Sequence, residues 1–178
     1  MIKLHLGCSK RYIPGFVHID LADFEHIDHR TDIRHLDMFA TGSVDLIYVS
    51  HVLEHFNRWE YKDVLREWHR VLKDGGILRL SVPDFDAYLD LYNYGYTVDT
   101  LFSCFCGGQD NELNYHHMVF NEELLSRVLI DDIGFSKTYL WDWRETEHAN
   151  IDDYSQSYHP HMDKENGVLM SLNMEARK

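Results

Sequence analysis

The stretch "KLHLGCSKRYIPGFVHID", Lys3 to Asp20, sets a glycine between two strand-like runs and closes the second on a carboxylate. Leu4 and Leu6 mark the first run, ending at Gly7; Phe16, Val17 and Ile19 mark the second, ending at Asp20. The span between them, Cys8 to Gly15, is shorter than the ~10–12 residues of an ordinary βαβ crossover, so no helix is expected there. In open parallel sheets, ligands sit beyond the carboxyl ends of the strands, where strand order reverses. A glycine at that end lets the backbone approach a ligand closely, because no Cβ stands in the way. An acid ending the next strand can accept two hydrogen bonds from a ribose diol, and bonds to a charged acceptor are the strong ones. Gly7 and Asp20 therefore read as two halves of a nucleoside clamp.

The clamp lacks a place for phosphate. There is no G-x-G-x-x-G, and a pyrophosphate would want the N-terminus of the helix that this span is too short to form. An NAD-linked oxidoreductase is disfavoured on that ground. A nucleoside cofactor without phosphate, S-adenosylmethionine (SAM), fits better.

Working outward, "VDLIYV" (Val44–Val49) is a near-continuous apolar run, as in a strand covered on both faces, and "ILRLSV" (Ile77–Val82) is another, halted by Pro83. Between them Tyr61, Val64, Leu65, Trp68, Val71 and Leu72 recur at helical spacing, with an expected capping box at Asn57 and Glu60 and an end at Gly75-Gly76. A second helix is expected from Asn121, turning Leu124, Leu125, Val128 and Leu129 inward and stopping at Gly134. Strands alternating with such helices indicate a parallel α/β sheet. Ser136–Trp143 and Val168–Ala176 read as strands joined by a long polar loop, hence an antiparallel pair at one edge. One domain over residues 1–178 is expected, with an acceptor-side insertion at about 84–120.

Composition narrows the function class. The 178 residues carry a formal net charge of −13, with 44% hydrophobic and 13% aromatic residues, so a sizeable core forms and no basic face for nucleic acid is available. The 3 cysteines are too few and odd in number for a disulfide framework. No apolar stretch approaches the ~20 residues of a membrane span, and Met1 leads directly into the first strand, so a cytoplasmic protein is expected.

The opening stretch, with Leu21 following Asp20, resembles the abbreviated first motif of small SAM-dependent methyltransferases of the type 11 kind. "DLIYVSHVLEHF" (Asp45–Phe56), "VLKDGGILRLSVPD" (Val71–Asp84) and "HHMVFNEELLSRVLIDDIGF" (His116–Phe135) resemble later segments of that family, in the right order. The resemblance implies a Rossmann-like methyltransferase fold, a mostly parallel sheet with an antiparallel C-terminal edge hairpin. It implies that Gly7, Cys8 and Ser9 border the methionine part of SAM, that Asp20 and Leu21 take the ribose, and that Asp32 and Ile33 lie beside the adenine. Ser50 and His51 would floor the methyl-transfer site. Ser9 stands where the family has a second glycine, so positive φ there carries a cost.

Methyl transfer to a hydroxyl needs donor and acceptor aligned and a proton removed, for which a His or carboxylate is the usual base. His51, His116, His117 and Asp84 are the candidates; Glu54 and His55 read as orienting or capping groups. Phe85, Tyr88, Leu89 and Tyr92 are expected to pack a covering helix on the sheet. The remaining aromatics around "CFCGGQD", with Gln109, Asp110 and Asn114, would wall an acceptor pocket suited to a small molecule or glycan. Cys104-x-Cys106, His116-His117 and His159-x-His161 fit zinc spacings poorly, and no metal is expected. The loop from Glu145 to Gly167 is a lid or a homodimer contact. The competing reading is a methyltransferase-like domain that binds SAM or a partner without turnover.

Overall fold

The computed structural model describes residues 1–178. In chain order, the strands are β1 (Lys3–Leu6), β2 (Val17–Asp20), β3 (His29–Arg30), β4 (Val44–Ser50), β5 (Leu72–Pro83), β6 (Lys137–Leu140), β7 (Tyr158–His159), β8 (Val168–Leu169) and β9 (Ser171–Arg177). The helices are α1 (Tyr61–Val71), α2 (Phe85–Tyr94), α3 (Val98–Cys106) and α4 (Glu122–Arg127), the last running into a π-helical turn, Val128–Ile133. The main sheet has the order β3-β2-β1-β4-β5-β9-β6, parallel from β3 to β5, with β9 antiparallel to both β5 and β6. This is the expected Rossmann-like architecture with a reversed edge.

Side-chain alternation sorts the sheet into two faces. Leu4, Leu6, Ile47, Val49, Leu78, Leu80, Leu172, Met174 and Ala176 join one continuous core with Tyr61, Val64, Leu65, Trp68 and Val71 of α1 and Leu125, Val128 and Leu129 after it. His5, Leu46, Tyr48, Arg79, Asn173 and Glu175 occupy the alternate positions and face the other way. No helix joins β1 to β2, as the short span requires, and this second face is covered by Ile13, Phe16, Trp141, His148 and Ile151 instead.

Several expected boundaries move. α1 begins at Tyr61 and carries no side-chain cap: Asn57 Oδ1 accepts from the Trp59 amide at 2.9 Å, and the Asn57 side-chain amide donates to the Glu60 carboxylate. That exchange consumes both halves of the capping box within one turn. At the other end, β5 starts at Leu72, and Gly75 and Gly76 pair with Lys178 rather than ending the helix. Val168–Ala176 splits in two, because β8 pairs with β7 in a small separate ribbon and only β9 enters the main sheet. The Glu145–Gly167 stretch is therefore not a bare loop. It follows a short 3₁₀ turn at Trp143–Glu145, contains another at Tyr154–Gln156 together with β7, and buries His148, Asp153, Ser155 and Gln156.

The insertion also differs. α2 packs on α3 through Tyr88, Leu91, Leu101 and Met170, while Leu89 and Tyr92 point to solvent. Leu91 rather than Leu89 is inward, because the helix starts at Phe85 with Asp84 as its cap. No helix is long and apolar enough to cross a membrane.

Candidate functional site

The ends of β1, β2, β4 and β5 converge on one edge of the sheet, and two cavities open there. The first, of 270 Å³, is lined by Gly7, Asp20, Leu21, Asp32, Ile33, Arg34, Val52, His55, Phe56, Glu60, Glu112 and Leu113. Gly7 has φ +63, and a Cβ at that position would meet Val52 Cγ2 at 2.5 Å, so only glycine fits the turn without displacing Val52. Asp20 is held by two main-chain donors, the Ser9 amide on Oδ2 and the Ala22 amide on Oδ1, each at 2.7 Å. Each carboxylate oxygen keeps a further lone pair. A fixed acceptor pair beside bare backbone is an arrangement suited to a vicinal diol.

Ser9 adopts φ +48, the left-handed conformation that a second glycine would take freely, and its amide is thereby turned onto Asp20. Non-glycine residues in that region carry ~1–3 kcal/mol of strain. Asp32 is clamped by Arg34, whose Nη2 and Nε donate to Oδ2 at 2.6 and 2.9 Å, and this keeps its carboxyl below the usual range. Ile33 is buried, and its carbonyl accepts the Trp68 indole N–H at 3.0 Å, tying the cavity wall to the core of α1.

The second cavity, of 260 Å³, is lined by His51, Glu54, His55, Pro83, Tyr88, Ser103, Cys104, Gly108, Asn114, His116, Tyr154 and Ser157. His55 belongs to both cavities. His51, at φ +51 just past β4, is hydrogen-bonded through Nε2 to Ser171 Oγ at 2.8 Å and leans on Tyr154, with ring centroids 5.3 Å apart. Burial pushes its pKa down to about 3, helped by His116 and His55. His116 donates from Nδ1 to the Cys104 carbonyl at 3.0 Å, and burial with neighbouring His55 lowers its pKa to about 4. Both imidazoles are neutral at neutral pH. Glu54 is 1% exposed, and burial raises its carboxyl to about 8.

Of the expected nucleoside-binding residues, Gly7, Asp20, Leu21, Asp32 and Ile33 line the first cavity. Ser9 supports it from behind through Asp20. Cys8 is buried beneath, its thiol pushed up to about 12 by burial and by Asp20. Ser50 accepts the Ser81 hydroxyl at 3.0 Å and lines neither cavity. Among the expected catalytic groups, His51 and His116 line the second cavity. His117 faces a wider surface depression with Arg58 and Trp59, and Asp84 caps α2 by accepting the Asp86 amide at 3.1 Å. The wall of the second cavity uses Tyr88 and Tyr154; Phe105 packs on Phe85 and Tyr88 instead. Glu54 and His55, expected only to orient or cap, line the second cavity. Their spacing from His51, within one turn past a strand end, was the available signal. Glu112 and Leu113 come from a loop with no sequence signature.

Residues 15–80 match a family model described as a methyltransferase domain, which leaves Gly7 just outside the match. No curated protein matches the chain. Among solved structures, a SAM-dependent methyltransferase from Archaeoglobus fulgidus superposes with a TM-score of 0.60 at 15% identity, covering 99% of this chain and 85% of that one. The 1,6-didemethyltoxoflavin-N1-methyltransferase of Burkholderia thailandensis, solved with its substrate and S-adenosylhomocysteine, gives 0.60 at 16% identity, with 99% and 70% coverage. A SAM-dependent methyltransferase from Methanosarcina mazei gives 0.59 at 17%, with 99% and 91% coverage.

Proposed function

We propose that this chain is a class I SAM-dependent methyltransferase, in keeping with the methyltransferase-domain match over residues 15–80 and the shared fold, and that the two cavities meeting at His55 divide the work of holding donor and acceptor. The Gly7–Asp20–Ile33 cavity takes the nucleoside of SAM, whose sulfonium supplies the methyl group. The His51–His116–Tyr88 cavity takes a small-molecule or carbohydrate acceptor and presents a hydroxyl oxygen to the donor; as the methyl C–S bond breaks and the C–O bond forms, a neutral imidazole, His51 or His116, takes the hydroxyl proton and S-adenosylhomocysteine is the leaving group. The shared residue carries this reading, because in-line transfer requires the two ligands to touch through one gap.

The acceptor side favours a polyol. Tyr88 and Tyr154 contribute aromatic surface to the lining, while Asn114, Ser103 and Ser157 supply hydrogen-bonding groups. At 260 Å³ the cavity suits a single sugar or a metabolite of similar size. His51 and His116 flank the space where an acceptor hydroxyl would lie and position it toward the shared gap.

Calorimetry with S-adenosylhomocysteine tests the donor half. Asp20→Ala is expected to weaken binding at least tenfold, and unchanged affinity would overturn the ribose assignment. Methyl-release assays across nucleotide-sugars, glycans and small metabolites, with product NMR to locate the new methyl, test the acceptor half. A product methylated at nitrogen or carbon would defeat the oxygen assignment. His51→Ala and His116→Ala should each lower turnover, and parental rates in both would remove the histidines from the reaction.

A further inference from the structure

Glu54 is the least expected side chain of the molecule. It is buried, it lines the acceptor cavity, and neither carboxylate oxygen has a hydrogen-bond partner, the nearest ring nitrogen, His51 Nδ1, standing 3.5 Å from Oε1. A buried acid without partners is costly, and natural structures keep one where a ligand completes it. Its neighbours supply the complement. The Nδ1–H of His55 donates to the Tyr115 carbonyl at 3.0 Å, and that of His116 to the Cys104 carbonyl at 3.0 Å. Because a carbonyl only accepts, the neutral tautomer of each ring is fixed with its lone pair on Nε2. Backbone carbonyls that lock a histidine in this way are the usual outer support of a metal ligand.

We propose that Glu54, His55 and His116 form a binding site for one divalent first-row transition ion at the wall of the acceptor cavity. The ligand atoms of these residues all lie within 4.8 Å of one another. Metal–ligand bonds of ~2.0–2.2 Å bring donor atoms to about 4 Å or less, so small side-chain rotations close the set. The backbone already holds it together: the Glu54 carbonyl accepts the His117 amide at 2.8 Å and the Met118 amide at 3.1 Å, and the His116 amide bonds to the Cys106 carbonyl at 3.1 Å. Two imidazoles and one carboxylate favour zinc, iron, cobalt or nickel over magnesium or calcium, which prefer all-oxygen sets. Three protein ligands leave a position open, the pattern of a site that meets a substrate rather than one that only braces the fold. On the reading of this cavity as the acceptor site, the open position faces the acceptor oxygen and polarises it. Occupancy of the site does not depend on that reading. Of the pairs weighed from sequence, only His116 of His116-His117 contributes a ligand; Cys104-x-Cys106 and His159-x-His161 do not.

The test uses the full chain, freed of metal by chelation, and titrates it with Co²⁺ alone while following visible absorption and heat. One equivalent is expected to bind with weak d–d bands and no thiolate charge-transfer band. Glu54→Gln and His116→Asn should each weaken binding by ~10-fold or more. Glu54→Gln replaces an unpartnered acid by a neutral isostere, so it should fold; circular dichroism confirms this. In the unmodified chain, Zn²⁺ should shift the Nε2 resonances of two histidines in long-range ¹H–¹⁵N spectra. Parental affinity in both variants, a thiolate band, or no stoichiometric binding would each overturn the site. Titration of the metal-free chain with S-adenosylhomocysteine runs alongside. No S-adenosylhomocysteine binding by a chain that still takes up one cobalt in its own titration would defeat the donor assignment and leave the metal site standing.

Discussion

The two faces of the sheet are built on different principles. One is a continuous aliphatic core in which α1 and the α4 region meet every second residue of β1, β4, β5 and β9. The other is a mosaic. Tyr48 donates to Asp153, the Asn173 side-chain amide donates to the Ser155 carbonyl at 2.9 Å, and Arg79 pairs with Glu175 and with Glu147 at 3.1 Å. His5, His18 and His148 are buried among these groups and the rings of Phe16 and Trp141. The missing β1–β2 helix explains the contrast. A crossover helix would have brought an apolar stripe to this face; irregular segments bring backbone groups that must be satisfied, and polar side chains follow.

If the helix-covered face holds the fold together, its centre should be the costliest place to cut. Trp68 is fully buried and also donates its indole N–H to the carbonyl of Ile33, which lines the first cavity. Trp68→Ala is expected to cost ~3–5 kcal/mol, a large share of ordinary domain stability. Urea unfolding reads this directly. Trp68→Phe should keep most of the packing, lose the bond to Ile33, and weaken S-adenosylhomocysteine binding more than its stability cost alone would suggest. Equal loss from Trp68→Ala and from an exposed control such as Trp59→Ala would erase the difference between core and surface.

The second face should yield less, and differently. Tyr48→Phe removes the hydroxyl that meets Asp153 Oδ2 and leaves that oxygen unsatisfied, while Ser155 still serves Oδ1 through its amide at 2.9 Å and its hydroxyl. The expected cost is ~1–3 kcal/mol. Because Asp153 anchors the 145–167 segment, a strap that carries Tyr154 and Ser157 to the second cavity, the same change should speed limited proteolysis around 145–153. Unaltered cleavage with lowered global stability would mean that the strap and the sheet unfold as one unit.

This contrast also governs what could be read from the chain. Apolar periodicity announces a helix stripe, so the run from Tyr61 to Val71 and the strands it covers were legible, as was the reversed edge. That Gly7, Asp20, Leu21, Asp32 and Ile33 come together at one cavity was legible because they sit at or just past strand ends, where local sequence fixes local geometry. The strap was not. His148 meets Tyr48 with ring centroids 4.1 Å apart, though a hundred residues separate them in sequence, and nothing in a linear pattern encodes that pairing. The second cavity was legible only in part: His51 and His116 line it as expected, but Glu54 is brought there by backbone bonds from the distant His117 and Met118 amides, which no linear pattern announces.

The smallest effect sharpens the comparison through pH. Burial, then the proximity of His18 and His148, drives the His5 pKa well below its ordinary value; Arg11 and His26 act in the same direction. The folded chain therefore holds His5 neutral where the unfolded chain, with a pKa of ~6.5, begins to bind a proton. More protons bound in the unfolded state means stability rises with pH, so the contribution is present above ~6.5 and is lost on acidification below it. His5→Phe keeps a ring against Phe16 and Tyr48 and removes the proton site. Between pH 7 and pH 5.5 the parent should lose roughly 1 kcal/mol more than this variant, read as the difference between two urea midpoints. A substitution at Leu4, one residue away on the aliphatic face, should leave the acid slope untouched. If His5→Phe and the parent acidify in parallel, His5 takes up its proton without unfolding, and this face is open enough to water to hydrate an imidazolium.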